Sequence, residues 1–317
     1  MVYSFLVAGF GLVVLLLSGD FLLRGAISVS KKLGISKLII GLTIVAFGTS
    51  APELLISIRA VLDGVSGLAI GNVVGSNIAN VLLVIGLPAS AAGLRLVGKE
   101  TQKPYLIMLA ASILFISISF FGVINLTSGL ILFFGFCFVL MYTVVTANKK
   151  TSNLQMNMEA TRQDPNTKTI TAIFLISLGL VGLPLGTHIF VDSAIEISQG
   201  FGVSEALIGL TLVAVGTSLP ELATMIMATF RRESDLAIGN IIGSNLFNLL
   251  AIMGISSFFG NITVPSEFLT FDLWCMLFSS LLLAPMVFGW YGISRIGGVL
   301  LVLLYAFYLS FVVSAGT

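Results

Sequence analysis

The chain carries one stretch twice, and the spacing of the copies constrains what it can fold into. Residues 41–53 read GLTIVAFGTSAPE, and residues 209–221 read GLTLVAVGTSLPE. A second shared block follows each copy: IGNVVGSNIAN at 70–80 and IGNIIGSNLFN at 238–248. The offset is constant at 168 residues, from Glu53 to Glu221 and from Asn80 to Asn248. About half of the positions between Gly34 and Gly86 are identical to their counterparts, without a gap. This is an internal duplication whose best-kept positions are polar residues in apolar surroundings.

Composition says where such a duplication can sit. The chain is 57% hydrophobic and 9% charged, with a mean hydropathy of +1.11. Soluble domains carry charge on about a quarter of their residues, so this chain belongs in a bilayer. Crossing about 30 Å of hydrocarbon takes roughly 20 apolar residues. By that measure the sequence predicts ten spans: 3–24, 36–60, 68–90, 103–121, 125–146, 169–193, 204–229, 237–259, 269–288 and 292–314. The first is not expected to be a cleaved leader, because no basic segment precedes it and its counterpart recurs mid-chain. The net charge of +1 gives no pull toward nucleic acid. Cys137 and Cys275 are isolated in apolar runs and suggest neither a disulfide framework nor a metal site.

Orientation follows from the basic residues. Across ten alternating spans, 14 of the 15 Lys and Arg fall on one side, and only Arg59 falls on the other. The basic side is expected to be cytoplasmic, with both termini outside. Glu53 lies in the second span and Glu221 in the seventh, five crossings later. An odd number of crossings reverses direction, so the halves are predicted to be inverted repeats, a transporter signature. The expected fold class is an all-α membrane protein of ten transmembrane helices, arranged as two inverted five-helix repeats with discontinuous core helices. Residues 1–146 form the first repeat and 168–317 the second. The polar stretch 147–167 is expected to be a flexible cytoplasmic connector.

The repeated motifs have a chemical reading. Pro52 and Pro220 sit in segments expected to be helical, and a proline there removes the donor for the carbonyl four residues back. That frees the carbonyls of Gly48 and Gly216. Irregular backbone at membrane depth is tolerated only when buried in protein or lining a wet cavity. In a continuous helix Thr49, Ser50 and Glu53 would share one face, as would Thr217, Ser218 and Glu221. The next span adds Ser76 and Asn80 with Asn77 beside them, matched by Ser244, Asn248 and Asn245. Gly71, Gly75, Gly239 and Gly243 would let helices approach closely around them. The set is all oxygen, without His or Cys, which suits Ca²⁺ and Na⁺ and not Zn²⁺ or Cu⁺. Two glutamates buried in low dielectric do not both stay ionised without a cation between them. The site is therefore expected to hold Ca²⁺, several Na⁺, or in part protons. Mutually exclusive occupancy is the physical basis of exchange.

These motifs resemble the alpha repeats of the cation/calcium exchanger superfamily, specifically its sodium/calcium exchanger branch and prokaryotic members. The likeness covers essentially the whole chain. It implies a core of spans two, three, seven and eight, with the first and sixth as long tilted gating helices. Residue by residue, it implies that Glu53 and Glu221 are the shared carboxylates. It assigns the carbonyls of Thr49 and Thr217 to Ca²⁺ and those of Ala46 and Ala214 to Na⁺. Ser50, Ser218, Ser76 and Ser244 would supply hydroxyls, and Asn80 and Asn248 would line the middle of the site. Potassium-dependent exchangers and some archaeal relatives have Asp where this chain has Asn248, so two carboxylates rather than three argue against K⁺ co-transport. The Thr-Ser-x-Pro pattern favours Na⁺ over H⁺ as counter-ion. No large Ca²⁺-sensing insertion is present, so the regulation that animal relatives show is not expected.

The resulting expectation is an antiporter that moves Ca²⁺ against Na⁺, with an H⁺-coupled exchanger as the nearest alternative. It is not expected to be an enzyme, to carry a prosthetic group or to bind nucleic acid, and it would act as a monomer in the plasma membrane. An intramembrane hydrolase would need a water-activating acid pair and a substrate groove, and a channel would conduct continuously. Outside the motifs, Asp20 and Arg24 read as a local ion pair, Asp192 as a residue at a span end, and His188 as a hydrogen-bonded or interfacial histidine. The alternative for the acids is a gate or a cation-attracting mouth.

Overall fold

The computed structural model describes residues 2–94, 98–157, 169–201 and 214–315. Among them the elements in chain order are α1 (Val2–Leu33), the bent pair α2 (Lys37–Thr49) and α3 (Ala51–Leu62), α4 (Ser66–Ala92), α5 (Lys99–Ser119), α6 (Leu126–Asn157), α7 (Thr169–Gly200), the short α8 (Ala214–Thr217), α9 (Leu219–Phe230), α10 (Ser234–Ser256), α11 (Phe268–Val287) and α12 (Arg295–Ala315). Eight of these are individually long and apolar enough to cross a membrane, nine if α2 and α3 count as one span. The predicted seventh span begins at 204, and its part before Ala214 lies outside the described residues. Two short strands, β1 (Val123–Ile124) and β2 (Ile262–Thr263), pair antiparallel across two loops, a small departure from an all-helical chain.

The duplicated helices lie innermost. In α10 the most apolar window is 100% buried and in α4 72%, against 11% in α6 and 17% in α12. Lipid solvates an apolar side chain as well as protein does, so burial here follows from close backbone packing and polar contacts. Glycine permits it where α10 crosses α2. A Cβ on Gly239 would stand 2.5 Å from the Leu38 carbonyl oxygen, and one on Gly243 would stand 2.6 Å from that of Leu42. Gly71 and Gly75 meet no backbone among the described residues. The segment equivalent to α2 in the second copy falls largely on residues outside that set.

The long helices α1 and α7 pack together along their length. Small residues bring them close; a Cβ on Gly179 would lie 2.6 Å from Leu22 Cβ. Both outrun the predicted spans 3–24 and 169–193. The extension of α1 ends in Lys31 and Lys32, whose charges favour a helix C-terminus. Helix α6 also continues to Asn157, so the first half of the expected flexible connector 147–167 is helical instead. Polarity alone does not end a helix without a proline or glycine, and residues 147–157 contain neither. Residues 158–168 lie outside the described set.

The ends of the elements are tied by ion pairs. Buried Asp20 on α1 binds Arg24 at 2.7 Å and also Arg231, the residue capping α9. Lys37 at the start of α2 reaches Glu233 before α10 at 2.7 Å. Asp20 is therefore more than the local pair expected, since it joins α1 to the second copy. His188 and Asp192 pair with each other at 3.3 Å on the exposed flank of α7.

Candidate ion-binding site

Each copy breaks its helix at the same residue. Ser50 has φ −91° and ψ 8°, and Ser218 has φ −88° and ψ 5°. This is the sparsely populated bridge region between helix and strand, where active-site residues are often found. The chain bends by 47° between α2 and α3. The single helix face expected for Thr49, Ser50 and Glu53 is thus not formed. Thr49 ends one helix, and Glu53 lies in the first turn of the next. Thr217 and Glu221 repeat this at the junction of α8 and α9. The prolines explain the difference. Pro52 and Pro220 occupy the first turn of the second helix, where a missing N–H costs nothing, so they start helices rather than kink them. The break turns carbonyls at one helix end and carboxylates at the start of the next toward the same place. Carbonyl ends attract cations, and helix N-termini favour carboxylates.

Glu53, Glu221, Ser50, Thr49, Asn80, Asn248 and Ser244 are fully buried, and Ser76, Ser218, Asn77 and Asn245 are nearly so. Residues from both copies interlock. Ser50 Oγ donates to Glu221 Oε1 at 2.9 Å, and Ser244 Oγ donates to the same oxygen at 3.3 Å. Thr49 Oγ1 lies 3.4 Å from Ser244 Oγ, and Ser76 Oγ lies 3.4 Å from Thr217 Oγ1. The Asn80 amide donates to Asn245 Oδ1 at 3.1 Å, and the Asn248 amide donates to Asn77 Oδ1 at 3.1 Å. Those two bonds are equivalent under the duplication. Asn77 and Asn245 thereby aim the other two asparagines.

What stays without a hydrogen-bond partner defines the chemistry. Among the described residues these buried atoms include both carboxylate oxygens of Glu53, Glu221 Oε2, Asn80 Oδ1, Asn248 Oδ1 and Ser218 Oγ. Leaving a buried polar atom unpaired costs roughly 1–3 kcal/mol, and more for a charged one. Six such oxygens, two of them on one carboxylate, come from both copies of the repeated motifs. A hard cation satisfies such a set, with the charge of a divalent ion matching two carboxylates. Among the described residues no three His, Cys, Asp or Glu side chains gather, so the set is one of two acids and neutral oxygens.

The remaining expected ligands fare differently. Ala46 is buried, but its carbonyl accepts both the Ser50 N–H at 3.0 Å and the Thr49 hydroxyl at 3.3 Å. Ala214 is the first described residue of α8. The Gly48 carbonyl lacks its helical donor because Pro52 has no N–H.

Three residues escaped the sequence reading. Asn72 Nδ2 donates to the Glu53 carbonyl at 3.0 Å and to Ser57 Oγ at 2.9 Å. Its counterpart Asn240 donates to Thr224 Oγ1 at 3.0 Å, and Thr224 in turn donates to the Glu221 carbonyl at 2.8 Å. Both asparagines brace the turn that carries a glutamate. Their identity across the 168-residue offset was the available signal. Asp272 was also passed over; it is buried in α11 and accepts from Tyr308 at 2.8 Å.

Comparison with known proteins places this geometry. The sodium/calcium exchanger protein family matches residues 3–145 and 171–314. The sodium/calcium exchanger MaX1 of Methanosarcina acetivorans is 33% identical over 340 aligned residues, which cover 96% of this chain and 97% of that protein. The inner membrane protein YrbG of Escherichia coli is 34% identical over 248 residues, covering 77% of this chain and 76% of YrbG. A solved structure of the sodium-calcium exchanger NCX_Mj, soaked with zero Na⁺ and Ca²⁺, is similar with a TM-score of 0.82 at 29% identity, covering 98% of both chains. The resemblance carried by the two GTS-x-PE blocks therefore holds over the whole length, and this multi-pass membrane protein belongs to the sodium/calcium exchanger protein family.

Proposed function

We propose that the chain is a secondary antiporter that exchanges Na⁺ for Ca²⁺ at one site between its two halves. The observation that carries this is the buried set of unpartnered oxygens, with Glu53 and Glu221 contributed by different copies. Ca²⁺ would neutralise both carboxylates at once. The carbonyls of Thr49 and Thr217 would serve Ca²⁺; several Na⁺ would neutralise the carboxylates separately, drawing on Ser50, Ser218, Ser76, Ser244, Asn80, Asn248 and the carbonyl of Ala214. Neither set fits beside the other, so the two species compete for the same oxygens. Ala46 is a weaker candidate, with its carbonyl already engaged. That the similar protein MaX1 is a sodium/calcium exchanger supports Na⁺ as the counter-ion.

The architecture proposed is ten spans in two inverted repeats, 1–146 and 168–317, with the connector cytoplasmic and both termini outside. Support comes from contacts between loops that this count puts on one side. Leu94 bridges to Ile293, Lys37 pairs with Glu233, and Lys32 with Thr169, all on the lysine-rich side. The β1–β2 pair joins two loops on the opposite side. Alternating access would then be a movement of α1 and α7 over the core, which their close mutual packing suits.

The test is counter-ion-dependent flux. Proteoliposomes loaded with Na⁺ should take up radiolabelled Ca²⁺ when external Na⁺ is removed. Uptake that needs only a pH gradient would assign the protein to the H⁺-coupled alternative.

A further inference from the structure

A cavity of about 540 Å³ opens away from the ion site, between the starts of α2 and α5 and the later part of α6. Its walls change character with depth. Ser36, Lys99, Lys103 and Tyr142 line it together with Leu42 and Ile107. Lys99, Lys103 and Tyr142 are exposed, whereas Leu42 and Ile107 are half-buried. Glu100 is also in the wall, so the charge there is a cationic excess of one. Two helix starts converge on the same space. Ser36 caps α2, accepting the Ile39 N–H at 3.4 Å, and α5 begins at Lys99. Both place the positive ends of their dipoles at the opening. The wall is built from the ends of helices that belong to apolar spans, which suits a cavity whose mouth lies near one membrane surface.

We propose that this cavity binds one anionic phospholipid, its phosphate held by Lys99 and Lys103 and an acyl chain laid along Leu42 and Ile107. Basic pockets between transmembrane helices on one face take acidic headgroups for this reason. The size is that of a small-molecule site, about 300–1,000 Å³. A zwitterionic lipid brings its own cation to a place that already has an excess of positive charge. The occupant would brace the start of α2, the helix that ends at Thr49 in the ion site.

The experiment is native mass spectrometry of the full chain, delipidated in detergent and titrated separately with phosphatidylglycerol, phosphatidylethanolamine and inorganic phosphate. One phosphatidylglycerol should be retained per chain, more tightly than phosphatidylethanolamine. Each lysine near a membrane surface contributes roughly fivefold in affinity, so the double variant Lys99→Gln, Lys103→Gln should bind about 25-fold more weakly. Lys99→Arg with Lys103→Arg should keep binding. Ile107→Trp, which fills the apolar part and leaves the charges, should also weaken it. Equal binding to wild type and the Gln double variant overturns the proposal, as does equal affinity for phosphatidylethanolamine. Displacement of the lipid by inorganic phosphate at matching concentration would also overturn it, in favour of a free-anion site.

Discussion

Replacing Glu53 by Gln separates the two states of the ion site, because it acts in opposite directions on them. Glu53 is fully buried, and neither carboxylate oxygen has a hydrogen-bond partner among the described residues. The ion-free protein bears the cost of that buried, unpaired group, roughly 1–3 kcal/mol or more. Glutamine keeps the shape and removes the charge, so the ion-free form should become more stable. At about 2–4 °C per kcal/mol for chains somewhat smaller than this one, the rise is a few degrees. The ion-bound form loses instead. Removing one partner of a buried charge pair costs about 3–5 kcal/mol, which is two to three and a half orders of magnitude in Ca²⁺ affinity. Ca²⁺ should no longer raise the melting temperature, and radiolabelled Ca²⁺ uptake should vanish. Glu221→Gln should abolish uptake equally but stabilise the ion-free form less. Its Oε1 already accepts from Ser50 and Ser244, and an amide oxygen can do the same. Both melting curves can be recorded in detergent with chelator and with added Ca²⁺. If Glu53→Gln melts lower than wild type without Ca²⁺, or still takes up Ca²⁺, the reasoning fails.

Other expectations bear on the supports of the site. Asn245→Ala removes the acceptor that aims the Asn80 amide at 3.1 Å; losing such an outer partner should weaken Ca²⁺ binding roughly 10–100-fold, read by calorimetry, and an unchanged affinity would refute the aiming role. Gly243→Ala drives a methyl to 2.6 Å from the Leu42 carbonyl oxygen; overpacking of this kind costs about 1–3 kcal/mol, and a melting temperature no lower than wild type would contradict the close crossing. Asn240→Leu removes the brace on Thr224 and the Glu221 turn, so Ca²⁺ affinity should drop while Lys37→Gln, at the far end of α2, leaves it unchanged. Raising Na⁺ should displace Ca²⁺ competitively with a Hill slope above one, and non-competitive inhibition would contradict shared oxygens.

Much of this was legible in the sequence because a membrane penalises polar groups so heavily. A glutamate kept at both ends of a 168-residue offset, each beside a proline, has few structural reasons to exist in an apolar run. That logic singled out Glu53, Glu221 and the hydroxyl and amide residues; they are buried, and hydrogen bonds tie Ser50 and Ser244 to Glu221, Asn80 to Asn245 and Asn248 to Asn77. It misjudged the local geometry. The core helices were expected to be discontinuous, yet Thr49, Ser50 and Glu53 were set on one helix face, whereas Ser50 and Ser218 leave the helical region and Pro52 and Pro220 begin new helices. Spacing along a helix cannot show that its axis bends. Asn72 and Asn240 were passed over because their partners, the Glu53 carbonyl and Ser57 for one and Thr224 for the other, are set by how neighbouring helices pack and not by spacing along the chain. The helical run of α6 to Asn157 was hidden by polarity, which marks solvent exposure more surely than it marks a loop.

The central claim is that the two buried carboxylates hold Ca²⁺ or Na⁺ in turn and never both. Radiolabelled Ca²⁺ flux into proteoliposomes, with Na⁺, K⁺ and H⁺ gradients imposed one at a time, measures this directly. An outward Na⁺ gradient alone should drive Ca²⁺ accumulation, and the K⁺ and H⁺ gradients should not. Accumulation that is indifferent to Na⁺, or that proceeds with Na⁺ equal on both sides under a pH gradient, would contradict it.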